Sequence, residues 1–570
     1  MQLLNSVYAS KSFKFTLLAT VLAAGTLVAC DESGSSSASK ALTPVTLGLE
    51  KIGGFQHLAA DPTKPGAAEI SAYDPLSKRL FVVNGAQGSV DILDLINPAA
   101  PVLLGTLASA DLGSGLGGAN SIAIYNGIVA IAVEAAVKQD NGSVIFYRAS
   151  DLTRLTAVTV GALPDMLTFT PDGSRIVVAN EGEPNSYGQP TSVDPVGSIS
   201  VISVPGLTPT ATSISPVVTA ITFDSYNTQQ DALRAAGVRL FGPGATVAQD
   251  LEPEYVTISP DGRTAFVTLQ ENNAVAEVNL VNSTIASIRA LGTKDHSLSG
   301  AGMDVSNEDG SLNTNSGTPA VKIAQVPVKG FYMPDAIASY SVKGTRYLVT
   351  ANEGDAREYT GVNAAGREDP RVREWCTNGL DPAAFPDAAN MILDSNLGRL
   401  RVTAFPNGNS TGKNAAGQCS ELYSFGSRSF SIWNATTMTR VFDSGDQFEQ
   451  RTQSLPNVLF NASHDNNTLD DRSPAKGPEP EGVIVTTFGS KTYAFIGLER
   501  VGGVMVYDIS EPTAATFVTY LNTRTANTGD RGSEGLTFVA ADKSPNGKPL
   551  LVVANEISGT TAIMQINLTY

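Results

Sequence analysis

EPEYVTISPDGRTAFVTLQENNAVAEVNL (252–280) sets how the rest of the chain is read. Three short apolar or alternating runs, around Tyr255–Ile258, Ala265–Leu269 and Ala274–Val278, are separated by turn residues. SPDG (259–262) is a tight turn, with Pro260 setting the first corner and Gly262 free to take a positive φ. Runs of this length with such punctuation are strands, so the segment reads strand, turn, strand, short loop, strand.

Six further segments repeat that form. They are 67–95, 118–149, 163–185 continuing at 197–204, 333–358 closing at 428–434, 479–509, and 533–568. A less regular fourth strand fits between segments, as in VLLGTLA (102–108) and TFVTYLN (516–522). The one persuasive helical stretch is TQQDALRAAGV (228–238). Seven four-stranded units predict an all-β chain folded as a seven-bladed β-propeller over 45–570. A long insertion, about 359–427, falls in the fifth unit. Two β-sandwiches would not account for seven matching repeats.

The repeats also share polar residues. Their first strands begin at Glu69, Asn120, Asp165, Glu254, Asp335, Glu481 and Glu534, and their second strands end at Asn84, Glu134, Glu181, Gln270 or Glu271, Glu353, Glu499 and Glu556. An antiparallel hairpin puts these two positions at the same end of the sheet. In a propeller the first strand lines the central channel, so both sets are expected around one channel mouth. Crowded carboxylates repel, and a hard cation relieves the repulsion. The candidate metal ligands are therefore Glu69, Asp165, Glu181, Glu254, Asp335, Glu353, Glu481, Glu499, Glu534 and Glu556, and oxygen donors suit calcium. The alternative is that each caps a strand end. Arg357, Arg500 and Arg531 adjoin these positions and are candidates for holding a phosphate. They could equally be salt-bridge partners that hold the carboxylates apart.

Bulk properties fit a surface-exposed chain. The 570 residues carry a formal charge of −17, which excludes a nucleic-acid partner. Lys11 and Lys14 precede an apolar run (15–29) of signal-peptide length, ending in LVAC (27–30). This predicts a lipoprotein signal peptide over 1–29, lipidation at Cys30, and a polar tether over 30–44. The expected location is the cell envelope, anchored to a membrane by lipid, as a monomer. Cys376 and Cys419 remain and are expected to pair as a disulfide stiffening the insertion. Arg367, Arg371 and Arg373 in the same insertion could reach over the channel mouth or simply pair with exposed carboxylates.

PDMLTFTPDGSRIVVANEGEPN, YLVTANEGDARE and EPEGV followed by FIGLERVGGVMVYD resemble the choice-of-anchor I family of bacterial surface propellers. The resemblance extends over about 45–568. The family includes animal mesenchyme-specific cell-surface glycoproteins, and some bacterial members carry the name alkaline phosphatase. It implies surface display and no settled reaction. Calcium-dependent β-propeller phytases are similar at the level of architecture only.

Other chemistries find no support. His57, His296 and His464 sit in no HExxH motif, and no GxSxG elbow, Walker loop or strand-linked GxGxxG is present. SHDNNTLDDR (463–472) lacks the spacing of an EF-hand and reads as a solvated acidic loop. Two functions follow: a metal-stabilised surface binding module or a calcium-dependent phosphoesterase.

Overall fold

The computed structural model describes residues 42–58, 66–310, 319–363, 366–406 and 411–570. The leader, Cys30 and the tether up to residue 41 lie outside them.

The described chain is all-β with a few short helices. It contains seven four-stranded antiparallel sheets. Their first strands, in chain order, are Ser71–Asp74, Leu116–Tyr125, Pro164–Phe169, Pro253–Ile258, Ile337–Val342, Pro480–Phe488 and Ser533–Val539. Each first strand neighbours the next, and the last neighbours the first, so they form a closed ring. The second strands, such as Arg79–Asn84, Arg175–Asn180 and Leu550–Asn555, are buried almost throughout. They are covered on both faces, which explains runs such as LFVV and IVVA that do not alternate. A separate apolar core fills the gap between every adjacent pair of sheets, for example Phe81 and Ile131, Phe430 and Ile496, and Val82 and Val552. This radial stacking is that of a β-propeller. The fourth strands at Val102–Leu107 and Thr516–Leu521 and the helix Gln230–Ala235 fall where the sequence places them.

Two features were not legible in the sequence. The outermost strand of the last sheet is Thr46–Gln56, which pairs with Thr560–Thr569 and so closes the ring between the chain's two ends. His57 secures the closure: Nδ1 lies 2.7 Å from Asp91 of the first sheet and Nε2 lies 2.8 Å from Thr561. Second, the stretch between Asn352 and Ser429, where the sequence places its long insertion, packs with residues 291–336. Thr293–Asp295, Lys329–Phe331 and Tyr423–Ser424 form a three-stranded sheet. Met303, Val326 and Val328 share a core with Val372, Leu400 and the Cys376–Cys419 disulfide.

Candidate functional site: an acidic cup beside a cation-lined cavity

A repeated local device aims the acidic side chains inward. Register shifts fall at Pro164/Leu167, Pro253/Val256, Pro480/Val483 and Ser533/Leu536. They bracket Asp165, Glu254, Glu481 and Glu534. A bulge re-aims the side chain it carries. Two residues before an acidic position, the backbone is left-handed at Leu163, Met333, Glu479 and Gly532. Glu481 and Glu534 are each followed by a glycine, and a Cβ at Gly482 would stand 2.2 Å from the Glu534 carbonyl oxygen. At Gly535 it would stand 2.2 Å from the Glu69 carbonyl oxygen. These glycines let the first strands approach closely enough to narrow the channel.

The result is a cavity of about 460 Å³ at one end of the ring. Nine of the ten anticipated ligands line it: Glu69, Asp165, Glu181, Glu254, Asp335, Glu353, Glu481, Glu499 and Glu534. Glu134, Glu183 and Asp355 bring the lining carboxylates to twelve, against Lys138, Lys476 and Arg500. Glu556 lies at the edge, with a carboxylate oxygen within 4.8 Å of ligand atoms of Glu499 and His464. Asn84 does not take part. It is buried with Nδ2 3.3 Å from Asp91, and Gly85 stands where the other repeats place a glutamate. A Cβ at Gly85 would meet the Glu69 carboxylate at 2.0 Å, so Glu69 fills that gap. The asparagines of the ANE motifs serve the sheets instead, since Asn180 and Asn352 donate to Ser200 and Ser431 of the third strands.

The cup is poorly neutralised. The Oε2 atoms of Glu254, Glu481 and Glu534 are buried without a hydrogen-bond partner among the described residues. Burial, reinforced by neighbouring carboxylates, pushes Glu69 and Glu556 up to about 8 and Asp165 up to about 7. The same causes hold Glu181, Glu254, Asp335, Glu481 and Glu534 well above the ordinary carboxylate range. Glu353 is raised only to about 7, because Lys476 at 2.5 Å offsets its burial.

Beside the cup lies a second cavity, also of about 460 Å³, walled by Arg367, Arg401, Arg472, Lys476 and Arg500, by the carboxylates Glu183, Asp355, Glu358 and Asp369, and by Tyr359 and Phe425. Lys476 and Arg500 border both cavities. Arg472, Lys476 and Arg500 converge on the fully buried Glu479 at 2.6, 3.1 and 3.1 Å. Burial opposes ionisation of Glu479, but the three cations outweigh it and hold the carboxyl well below its usual range.

Of the three arginines singled out in the sequence, Arg500 alone lines these cavities. Arg357 is buried against Asp250 and, at 3.0 Å, Glu252, with its guanidinium 4.6 Å from the Phe241 ring. Its place is structural, between the fourth sheet and the stretch 353–428. Arg531 donates to the His464 carbonyl at 3.0 Å. Arg367 lines the second cavity, whereas Arg373 pairs with Asp394 and Arg371 reaches the Arg399 carbonyl. The 463–472 stretch corrects part of an expectation: Asp465 and Thr468 are exposed, but the stretch also sends side chains into the site. His464 is buried with Nδ1 2.7 Å from Glu499, Asp470 is fully buried, and Arg472 reaches Glu479. Sequence reasoning missed His464, Arg472, Lys476 and Glu479. The only signal was the density of charges in DDRSPAKGPEPE (470–481).

Comparison with known proteins places this architecture. Over 191 residues the chain is 29% identical to Gigasin-3a of Magallana gigas, covering 30% of this chain and 66% of that protein. Over 350 residues it is 27% identical to the mesenchyme-specific cell surface glycoprotein of Strongylocentrotus purpuratus, covering 54% of this chain and 42% of that protein. The chain thus matches just under two thirds of the first relative's length and less than half of the second's. Similar solved structures include the Kuenenia stuttgartiensis hydrazine synthase (13% identity, TM-score 0.43, 90% of this chain and 99% of that one). Another is the Cps50 (Swd1) β-propeller domain of Myceliophteria thermophila (8% identity, TM-score 0.40, 91% and 100%). The model of the choice-of-anchor I domain matches residues 69–512, most of the chain. These residues span the first five sheets, three strands of the sixth and nearly all of the acidic cup, and the chain belongs to the choice-of-anchor I family, a family of cell-surface domains.

Proposed function

We propose that this protein is a seven-bladed β-propeller displayed on the cell envelope, a binding module whose acidic cup holds calcium. The closed order of seven first strands, with a core in each gap, supports the blade number. On this reading the excursion between Asn352 and Ser429 is an insertion of the fifth blade. The name of the Strongylocentrotus purpuratus relative supports surface display. The LVAC sequence at 27–30 supports a lipid on Cys30 as the anchor.

One observation carries the metal reading: buried carboxylate oxygens of Glu254, Glu481 and Glu534 face one cavity with no protein partner among the described residues. Calcium takes about six to eight oxygen ligands and tolerates irregular geometry, which fits a ring of carboxylates contributed by separate sheets. Glu69, Asp165, Glu181, Asp335, Glu353 and Glu499 line the same cavity, and the ligand atoms that lie within 4.8 Å of one another are those of Glu353, Glu479 and Glu499 and those of His464, Glu499 and Glu556. The ion would link the sheets across the axis and stiffen the rim used for binding. The test is elemental analysis of the purified full chain, with thermal unfolding before and after chelation. Bound calcium and a clear fall in Tm on chelation are expected. No metal and an unchanged Tm would overturn the proposal.

A second reading, a calcium-dependent phosphoesterase, is favoured by Lys476 and Arg500 bordering both cavities. A phosphate oxygen at that border would have cations on one side and a calcium ion on the other. Hydrolysis of p-nitrophenyl phosphate that needs calcium and is lost in a folded Glu499→Gln variant would establish it. No turnover with any phosphoester would remove it.

A further inference from the structure

We propose that the second cavity is an oxyanion-binding site, taking a phosphate, sulfate or carboxylate group carried by the protein's ligand. Three cations, Arg472, Lys476 and Arg500, converge on the carboxylate of Glu479, while Lys476 also pairs with Glu353 and Asp355 and Arg500 with Glu499. Glu479 is fully buried, while the three cations keep 24%, 14% and 18% side-chain exposure at the cavity wall. A buried carboxylate thus acts as an internal counter-ion that fixes the three heads in place. Also in the lining, Arg401 lies 3.2 Å and Arg367 2.5 Å from Asp369, and Arg367 pairs in addition with Glu358 at 2.9 Å.

The guanidinium groups also retain donors. Arg472 uses Nε and Nη2 on Glu479, and Arg367 uses Nε and Nη2 on Asp369 and Glu358. Among the described residues no hydrogen bond takes Nη1 of either, or Nη2 of Arg500. Guanidinium donors that are already oriented lose little freedom on binding and match the oxygens of a phosphate or carboxylate. The Phe425 and Tyr359 rings add aromatic surface to the wall, which also carries Glu183 and Asp355.

This inference is independent of the metal in the cup. If a cation does occupy the cup, Lys476 and Arg500 place the anion next to it, and one ligand could engage both cavities. Salt dependence alone would not separate the sites, since both are electrostatic.

The test is calorimetric titration of the full chain with inorganic phosphate, sulfate and acetate, each with calcium and with chelator. Binding is expected in chelator. Arg472→Gln should weaken it by about tenfold, equivalent to about 1.4 kcal/mol. Since Arg472→Gln could loosen the fold around Glu479, Arg367→Gln and Arg401→Gln serve as milder variants, each expected to weaken binding by about threefold to tenfold. The anion preferred by the wild type reports whether the natural group is tetrahedral or planar. Absence of binding by all three anions would overturn the proposal. So would phosphate binding that is unchanged in folded Arg367→Gln and Arg401→Gln proteins. Phosphate that binds only with calcium, indifferent to these arginines, would place the anion on the cup's metal, removing this site while leaving the cup reading intact.

Discussion

Glu479 and Glu481 are two residues apart at the entry to one strand, yet their surroundings are opposite in charge. Glu479 is fully buried behind the cavity wall, with a carboxylate oxygen within 4.8 Å of Glu353 and Glu499, and it holds Arg472, Lys476 and Arg500, which keep it ionised. Glu481 faces the cup, where burial and the neighbouring Glu499, Glu353 and Glu534 drive it toward the protonated form. Burial is severe for both, so the difference comes from what surrounds them. A carboxylate with three fixed cations is part of the framework. A carboxylate among others of its kind is a ligand waiting for a cation or a proton. The two regions meet at Lys476 and Arg500, which border both.

The largest effect that would test this contrast is Glu479→Gln. Removing the shared counter-ion leaves Arg472 unpaired and takes one partner from Lys476, which keeps Glu353, and from Arg500, which keeps Glu499, and a loss of about 3 kcal/mol is expected in urea unfolding. Glu481→Gln, measured without calcium at neutral pH, should cost less than about 1 kcal/mol, because it removes repulsion along with charge. Equal losses in the two variants would erase the distinction.

Reduction of the Cys376–Cys419 disulfide tests the excursion against the ring. The bond closes 43 residues of sequence separation, and by chain entropy alone its loss should cost about 3 to 4 kcal/mol. Limited proteolysis should then cut first within 353–428, while the seven-sheet ring stays resistant. Cleavage spread evenly over the chain would show that the two cores do not act separately.

A pH series on calcium-free protein isolates the cup. Folded-state values raised to about 7 or 8 mean that the folded chain binds protons that the unfolded chain releases. Stability from these groups is therefore complete below about pH 4.5 and drains away as pH rises toward 8. Calcium should restore it most at the alkaline end, visible as a Tm increment that grows from pH 5 to pH 8. A Tm that rises with pH in chelator would contradict the crowding at the heart of the cup.

The smallest effect concerns the strand ends. Asn352→Ala removes a buried donor to Ser431 at 2.9 Å and should cost about 1 kcal/mol without changing calcium affinity. A loss of calcium binding in that variant would move the asparagines from framework to site.

Much of this architecture was legible in the sequence. Local physics writes strands and turns into apolar runs and SPDG-type corners, and the sevenfold recurrence of that pattern implied a closed ring. The acidic ring was readable for the same reason: Glu181, Glu353 and Glu499 occupy matching places in repeats whose geometry is shared. What the sequence could not decide is whatever depends on segments meeting across long separations. Thr46–Gln56 completes the last sheet only because it meets Thr560–Thr569, about five hundred residues away in sequence, in space. The 463–472 stretch looked solvated because no local pattern reveals that Glu479 and Glu499 stand beside it. Arg357 and Arg500 carry the same charge beside similar motifs. Tertiary packing alone buried the first against Asp250 and Glu252 and left the second at the cavity wall, since a charge's role is set by its neighbours in space.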